Sequence, residues 1–167
     1  LVLPSPSIAQ YQVTLEGQTY RLVLARNLIE EIHQADANTT QQYKRLVVQG
    51  PMVLNTDTLR TALAFEDVHF TAEATFENAV FLHSIHFVRT HFKKGISLFG
   101  THFQGEFSCL ECTIVDNANF KRVTFADKVN FSASHFESPA FFSQTSFMGE
   151  SSFERTMFND AAYFDKT

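Results

Sequence analysis

Bulky apolar residues, nearly always phenylalanine, recur along this chain at intervals that alternate strictly between five and six residues. The alternation continues from Phe65 to Phe164, so the underlying repeat is 11 residues long. Such repetition is typical of a solenoid, in which each unit buries its apolar side against its neighbours. The register positions are Phe65, Phe70, Phe76, Phe81, Phe87, Phe92, Leu98, Phe103, Cys109, Ile114, Phe120, Phe125, Phe131, Phe136, Phe142, Phe147, Phe153, Phe158 and Phe164.

Neither a helix nor a straight strand places these side chains on one side. At about 100° per residue, steps of five and six residues rotate by roughly 140° and 240°, which scatters the rings around a helix. In a straight strand side chains alternate between two faces, so steps of opposite parity send successive rings to opposite faces. The chain must therefore turn a corner between register positions.

A smaller residue lies two positions before nearly every register residue, which fits a short strand whose two end residues point inward. Four stretches show the unit clearly: residues 74–78 (ATFEN), 79–81 (AVF), 118–122 (ANFKR) and 140–144 (AFFSQ). They resemble the pentapeptide repeat family, whose unit is a small residue, a polar residue, Leu or Phe, and two mostly polar residues.

The resemblance covers about residues 48–167 and implies an all-β fold, a right-handed quadrilateral β-helix with four short faces per coil. One feature departs from the family, because its unit is a strict five and every second unit here has six residues. The family also implies an alternative function, since some members mimic duplex DNA and bind type II topoisomerases.

Four faces of five, six, five and six residues predict a coil of about 22 residues. Residues 22 positions apart should then stack, and opposite charges in such columns attract each other. Val48, Leu54 and Leu59 continue the spacing backwards, so we predict a solenoid over residues 44–167 with about five and a half coils. The pairs at this spacing are Lys44 with Glu66, Arg45 with Asp67, Asp67 with Arg89, Arg89 with Glu111, Lys94 with Asp116, Glu106 with Lys128, and Lys128 with Glu150.

Residues 10–43 differ from the repeat and predict a small N-terminal cap. Alternating residues at 11–15 and 20–24 indicate a β-hairpin. The capping-box pattern at 27–30 predicts a short helix that ends near Ala37. Because a solenoid end exposes unpaired strand edges, we interpret this hairpin and helix as a cover for the first coil. The C-terminal coil has no such segment, so we expect a partner, self-association or further residues to cover it.

Residues 1–9 indicate either the remnant of a signal peptide or a linker. Apolar Leu1, Val2 and Leu3 precede Ser7 and Ala9, which have the spacing of a signal-peptidase site. On this interpretation the protein is extracytoplasmic, that is periplasmic, lumenal or secreted. The alternatives are the boundary of an excised piece or a Pro/Ser linker, which would leave a cytoplasmic protein possible. No stretch is long enough to span a membrane.

Composition fits a folded domain and argues against a nucleic-acid partner. The chain has 167 residues, 44% of them hydrophobic, and a net charge of -5. Lysines and arginines are mixed among the acids, whereas a nucleic-acid binder presents a basic face. The sequence therefore predicts a chain that buries a sizeable core and has no nucleic-acid site.

Cys109 and Cys112 have the CxxC spacing of redox pairs and of half metal sites. Both fall on inward positions of the repeat, and Phe107 takes the small position two residues before Cys109. We interpret them as core cysteines in which the usual small and large residues are exchanged. A disulfide between them is the alternative, ahead of a redox or metal role.

Five of the seven histidines immediately precede a register residue and should face outward. Three of them, His69, His91 and His135, share one column, with Thr113 between the last two. Adjacent imidazoles could bind a transition metal if a third ligand were present. We favour a surface ladder of polar residues, so that these are only weak metal candidates.

No constellation of residues indicates catalysis or a cofactor. The sequence favours a non-enzymatic structural or protein-interaction module whose partner is unknown, with self-association through the C-terminal coil as one form of it. A second outward column, Thr75, Ser97, Asn119, Phe141 and Tyr163, ends in two aromatic residues that with Met157 form a candidate contact patch. A topoisomerase-binding DNA mimic and a metal-binding or redox protein are the alternatives.

Overall fold

The computed structural model describes residues 11–37 and 39–167, so the predicted signal remnant or linker at residues 1–9 lies outside the described part. The chain forms a parallel β-solenoid of about 6 coils whose equivalent residues are 22 apart. This confirms the predicted all-β solenoid class and the coil length.

Most strands are two residues long, as expected if the chain turns a corner after each inward pair. In chain order the elements are β1 (Gln12–Leu15), β2 (Gln18–Leu24), α1 (Ala25–Gln34), β3 (Thr40–Gln49), β4 (Met52–Val53), β5 (Thr58–Leu59), β6 (Ala62–Phe70), β7 (Ala74–Thr75), β8 (Val80–Phe81), β9 (Ile85–Val88), β10 (His91–Phe92), β11 (Ile96–Ser97), β12 (His102–Phe103), β13 (Phe107–Leu110), β14 (Thr113–Ile114), β15 (Ala118–Asn119), β16 (Thr124–Phe125), β17 (Val129–Asn130), β18 (His135–Phe136), β19 (Ala140–Phe141), β20 (Ser146–Phe147), β21 (Ser151–Ser152), β22 (Met157–Phe158) and β23 (Ala162–Tyr163).

The strands stack into four faces. The first face contains the opening halves of β3 and β6 and then β9, β13, β17 and β21, and the second contains their closing halves and then β10, β14, β18 and β22. The third face is β4, β7, β11, β15, β19 and β23, and the fourth is β5, β8, β12, β16 and β20. All pairs within these faces are parallel, so each side chain lies above its equivalent one coil earlier.

A left-handed residue at every eleventh position explains why the units alternate between five and six residues. Each lies two positions after a bulky register residue and turns the corner of a five-residue step. Among the six-residue steps only those that contain Gly50 and Gly95 have a positive φ. Phe76–Ala79 is such a corner, with the Ala79 amide bonded to the Phe76 carbonyl. The residues are Arg45, Thr56, Asp67, Asn78, Arg89, Gly100, Glu111, Arg122, Ala133, Gln144, Arg155 and Lys166, with φ between +47° and +69°.

The core is a set of stacked rings that continues from coil to coil. Phe70 stacks on Phe92 with centroids 5.2 Å apart and planes 8° from parallel, and Phe120 stacks on Phe142 at 4.7 Å and 4°. Tyr43 occupies the register position one coil before Phe65 and stacks on it. Parallel, slightly offset rings at this spacing bury large apolar areas and attract one another.

The N-terminal segment packs on the first coil as a hairpin and a helix. β1 pairs with β2 antiparallel, β2 joins β3 in parallel, and Ala25, Leu28 and Ile32 of α1 are buried in the core cluster. The expected helix start was wrong, because α1 begins at Ala25 with no side-chain cap and ends at Gln34. β2 continues directly into α1. Burial of the apolar face of α1 therefore determines where the helix starts more strongly than the capping box at residues 27–30 does.

The charge ladder forms in part. Lys44 lies 2.6 Å from Glu66, and Arg89 reaches back to Asp67 at 2.7 Å and to Glu66 at 2.7 Å. Lys94 and Asp116 are 3.7 Å apart. The other four predicted pairs are not within ion-pair distance. Arg89 already pairs with Asp67 and therefore points away from Glu111 in the next coil. Exposed charges in general gain little by pairing.

We expect Ala133→Gly to stabilise the protein by about 0.5–1 kcal/mol, because a left-handed conformation costs a residue with a Cβ more than it costs glycine. Ala133 is exposed at φ +56°, so little packing is lost. Urea denaturation measures the change. Ala126→Gly is the matched control, since Ala126 is exposed without a positive φ and should lose stability. Equal effects at both positions would contradict this account of the corners.

We expect Phe131→Ala to destabilise the protein by about 3–5 kcal/mol, because it leaves a cavity in the ring stacks. Phe131 is fully buried and contacts rings in its own and adjacent coils. The control Phe141→Ala removes an outward ring and should cost about 1 kcal/mol or less. Chemical denaturation of both variants would refute the core assignment if the two losses were similar.

Candidate functional site

The predicted histidine column lies on the outer surface of the second face. His69 pairs with His91, His91 with Thr113, Thr113 with His135, and His135 with Met157. The rings of His69 and His91 are 5.4 Å apart between centroids and tilted by 33°. The structure therefore brings two imidazoles together, and Thr113 separates the third from them.

Nothing in the described residues completes a metal site around these imidazoles. Across residues 11–37 and 39–167, no group of three or more His, Cys, Asp and Glu side chains could hold a metal ion. The Nε2 atom of His135 is buried and has no hydrogen-bond partner among the described residues. A metal role for His69, His91 or His135 thus stays a prediction without an identified third ligand.

The N-terminal hairpin contacts the histidine column, which the sequence did not indicate. The Tyr20 ring meets the His69 ring edge-on, with centroids 4.8 Å apart. Val47, the outward residue one coil earlier in the same column, is buried although it faces away from the core. The hairpin therefore closes over this part of the second face, and both imidazoles become half-buried.

Burial lowers the pKa of both histidines. For His69 desolvation is the main cause, and His91 lowers it further, while Glu16 and Asp67 oppose the shift. For His91 desolvation again dominates; Lys93 also lowers the pKa, and Glu137 and Glu16 raise it. Both imidazoles are accordingly held in their neutral form above the ordinary histidine pKa of about 6.5.

We expect acid to weaken the contact between the hairpin and the solenoid. Because the folded-state pKa values lie below the unfolded value, the unfolded chain binds more protons between them. The contribution of His69 and His91 is complete above about pH 6.5 and is lost as the pH falls toward the folded pKa values. Denaturation at pH 7.5 and pH 5 measures it.

The double variant His69→Gln/His91→Gln should reduce this loss of stability in acid. His83→Gln is the control, because His83 is exposed and lies outside the column. An unchanged pH dependence in the double variant would show that the column is not responsible.

The two cysteines lie in the core and are free thiols in the structure. Cys109 occupies a ring position of the first face, and the neighbouring Phe107 ring fills the interior beside Phe103 and Phe131. Burial raises the pKa of the Cys109 thiol, and its contact with Cys112 adds to the shift. Since the thiolate is the reactive form, this environment keeps Cys109 unreactive.

Cys112 takes the place of a hydroxyl in a ladder that the sequence analysis missed. Inward Ser and Thr residues that directly follow a left-handed residue donate to the carbonyl of a register residue 25 positions earlier. Thr145, for example, donates to the Phe120 carbonyl at 2.6 Å. The Cys112 thiol lies 3.6 Å from the Phe87 carbonyl in the same arrangement. The other donors are Thr90, Thr101, Ser134, Thr156 and Thr167.

We expect Cys112→Ser to change stability by less than about 1 kcal/mol, because a serine hydroxyl replaces the thiol in the ladder. Cys109→Ser should cost about 1–3 kcal/mol, because it buries a hydroxyl among apolar rings. Thermal and chemical denaturation of the two variants gives the comparison. Equal losses would mean that Cys112 contributes through its volume alone.

The last coil of the described chain exposes several large apolar side chains beside the last strands of the four faces. β20, β21, β22 and β23 each have a neighbour on one side only. Met157, Tyr163 and Phe164 are 55%, 46% and 43% exposed. Tyr163 stacks on Phe141 at 5.2 Å and 4°, whereas Met157 projects from the second face. We call these four strands and Phe164 the open edge.

No helix in the described residues is long and apolar enough to cross a membrane.

Comparison with known proteins adds one match. Residues 120–167 match the family model described as pentapeptide repeats (9 copies). Phenylalanine fills every bulky register position in this part of the solenoid, as it does from Phe65 to Phe92. No curated protein and no solved structure matches the chain.

Proposed function

The chain is a pentapeptide repeat protein, and from this premise we propose that it is a non-enzymatic structural and protein-interaction module. The observation that carries the proposal is the open edge, where strand hydrogen-bonding groups and aromatic rings are exposed together. Uncovered strand edges of this kind pair readily with another chain.

The open edge offers both parts of a β-type interface. Among the described residues its strands are paired on one side only, so a second chain or a further coil can pair on the other side, as the coils do with one another. Phe164 lies over Phe142 at 4.7 Å and 4°, so its other ring face continues the stack outward. An edge that supplies hydrogen bonds and an aromatic surface together supports strong association.

A second copy of this chain is the occupant that fits most directly. Two copies that meet at their open edges extend the same ring stack and pair the same edge strands. An identical surface on both partners gives a closed two-fold dimer. The partner in this form of the proposal is therefore the protein itself, and a different protein is the alternative outcome.

The mixed charges support a module of this kind over a DNA mimic. Glu66 and Asp67 are both paired with Arg89 at one corner, and Lys44 also reaches Glu66. A mimic of duplex DNA needs dense and continuous negative charge. Pairing of acids with bases along a corner removes that continuity.

We also propose that the protein works outside the cytoplasm, on the pattern of residues 1–9. The test is expression of the full-length native gene fused to alkaline phosphatase, which is active only after export. Activity of the fusion supports the proposal, and an inactive, cytoplasmic fusion contradicts it.

We expect the protein to form a dimer whose population rises with concentration, as measured by multi-angle light scattering. Phe164→Glu should abolish it, because a charge on the terminal ring position cannot be buried against a second copy. Val53→Glu is the control, since Val53 is 43% exposed in β4, at the opposite end of the third face from the open edge. A monomer at all concentrations would exclude self-association and direct attention to a different protein partner.

A further inference from the structure

The third face carries a polar groove that the proposed interaction function does not use. The groove is a cavity of about 510 Å³ that runs along the solenoid axis over β7, β11, β15 and β19. Its floor consists of the small outward residues Ser97 and Asn119, and the Phe141 ring closes one end. Residues on either side of this column form the walls.

The floor is held in one arrangement by its own hydrogen bonds. Ser97, only 7% exposed, donates to the Glu77 carboxylate at 2.6 Å and accepts from the Asn119 amide at 3.3 Å. The Lys121 ammonium lies over the Phe141 ring, 4.4 Å from its centroid. The site is therefore preorganised before any ligand binds, which reduces the entropic cost of binding.

The walls supply unused hydrogen-bonding groups of both kinds. No hydrogen bond or ion pair among the described residues engages the carboxylate of Glu73 or the side-chain amide of Asn117. Glu77 uses one oxygen for Ser97, and Lys121 has no carboxylate within ion-pair distance. A ligand must therefore offer both donors and acceptors along its length, and the mostly polar lining excludes an apolar one.

The charges along the groove are of both signs, and Lys94 and Asp116 lie within 3.7 Å of each other. Glu73 and Glu77 line it first, Lys94 follows, and Asp116 and Lys121 come next. A polyanion or a polycation would meet like charges within one or two coils, and such juxtapositions oppose binding. This pattern favours an uncharged ligand.

A peptide strand is also disfavoured, because the groove lacks a free strand edge. β11 is paired with β7 on one side and β15 on the other, so the backbone groups beneath the groove are already satisfied. Peptides that bind to sheets gain most of their affinity from main-chain hydrogen bonds. Only side-chain contacts remain here, and these suit the hydroxyl groups of a sugar.

We propose that the groove on the third face binds a straight, uncharged oligosaccharide that lies along the solenoid axis. Each hydroxyl both donates and accepts, which matches the mixed lining. An extended β-1,4-linked chain of pyranose units advances by roughly 5 Å per unit, close to the ~4.8 Å step between strands, so a chain of about four units spans the coils that line the groove.

Cellohexaose is the probe for this proposal, titrated into the ¹⁵N-labelled protein and followed by NMR. We expect the amide signals of Ser97 and Asn119 to shift with a dissociation constant in the millimolar range or below. No shift at these signals up to about 10 mM cellohexaose would overturn the proposal. Shifts caused there by hexalysine or hexaglutamate in place of cellohexaose would also overturn it, because they would indicate a charged peptide partner.

Asn119→Phe separates binding in the groove from binding elsewhere. The equivalent residue one coil later is Phe141, so the fold accepts a ring at this outward position, and the ring would fill the groove. Affinity should fall by about 10-fold or more. Asn130→Phe makes the same change on the first face and should leave binding unchanged. Equal affinity in the parent and Asn119→Phe would place the sugar elsewhere and overturn the proposal.

Discussion

Stacking of identical positions one coil apart is the constraint on which the rest of this structure depends. A side chain in the interior has its equivalent 22 residues earlier as its nearest neighbour, so a flat ring in one coil favours a flat ring in the next. The left-handed corners, one every 11 residues, keep this register. Two of them occur in each coil, so every coil uses the same number of residues, 22, and equivalent residues stay stacked. Residue types as different as Ala133 and Arg155 occupy these corners, which shows that the stack imposes the conformation.

The same constraint separates the residues that fold the protein from those that can bind other molecules. Inward positions alternate between bulky and small residues, and the small ones with hydroxyls satisfy a carbonyl of the preceding coil. Outward positions carry no such requirement, so one column can contain histidines and another serine, asparagine and phenylalanine. Chemistry on a face can therefore vary with little effect on the core.

The parts of the fold that could be predicted from the sequence are those that repeat. The spacing from Phe65 to Phe164 is sufficient to predict the coil length, the columns and the inward cysteines, because one rule applies to every coil. The start of α1 at Ala25 and the contact of Tyr20 with His69 were not predictable in this way. They occur once, and they depend on how a single segment packs on a surface that the pattern describes only as polar.

The hydroxyl ladder is an intermediate case, since its signal was present but ambiguous. Ser or Thr at the small inward position is equally consistent with simple tolerance of small residues. Only the geometry shows that the Thr145 hydroxyl donates to the Phe120 carbonyl and that the Cys112 thiol lies in the same way against the Phe87 carbonyl.

A rod built in this way has two kinds of surface with different binding properties. Along its sides every strand is paired, so a ligand meets side chains alone and is selected by their polarity and spacing. At the open edge the strands β20, β21, β22 and β23 are paired on one side among the described residues, so a further strand on the other side would add backbone hydrogen bonds to side-chain contacts. Polar recognition of a small repeating ligand is consequently best placed on a face, and association with another folded chain is best placed at the edge. The third-face groove and the exposed Phe164 ring follow this division, because the first offers mixed hydrogen-bonding groups and the second extends an aromatic stack.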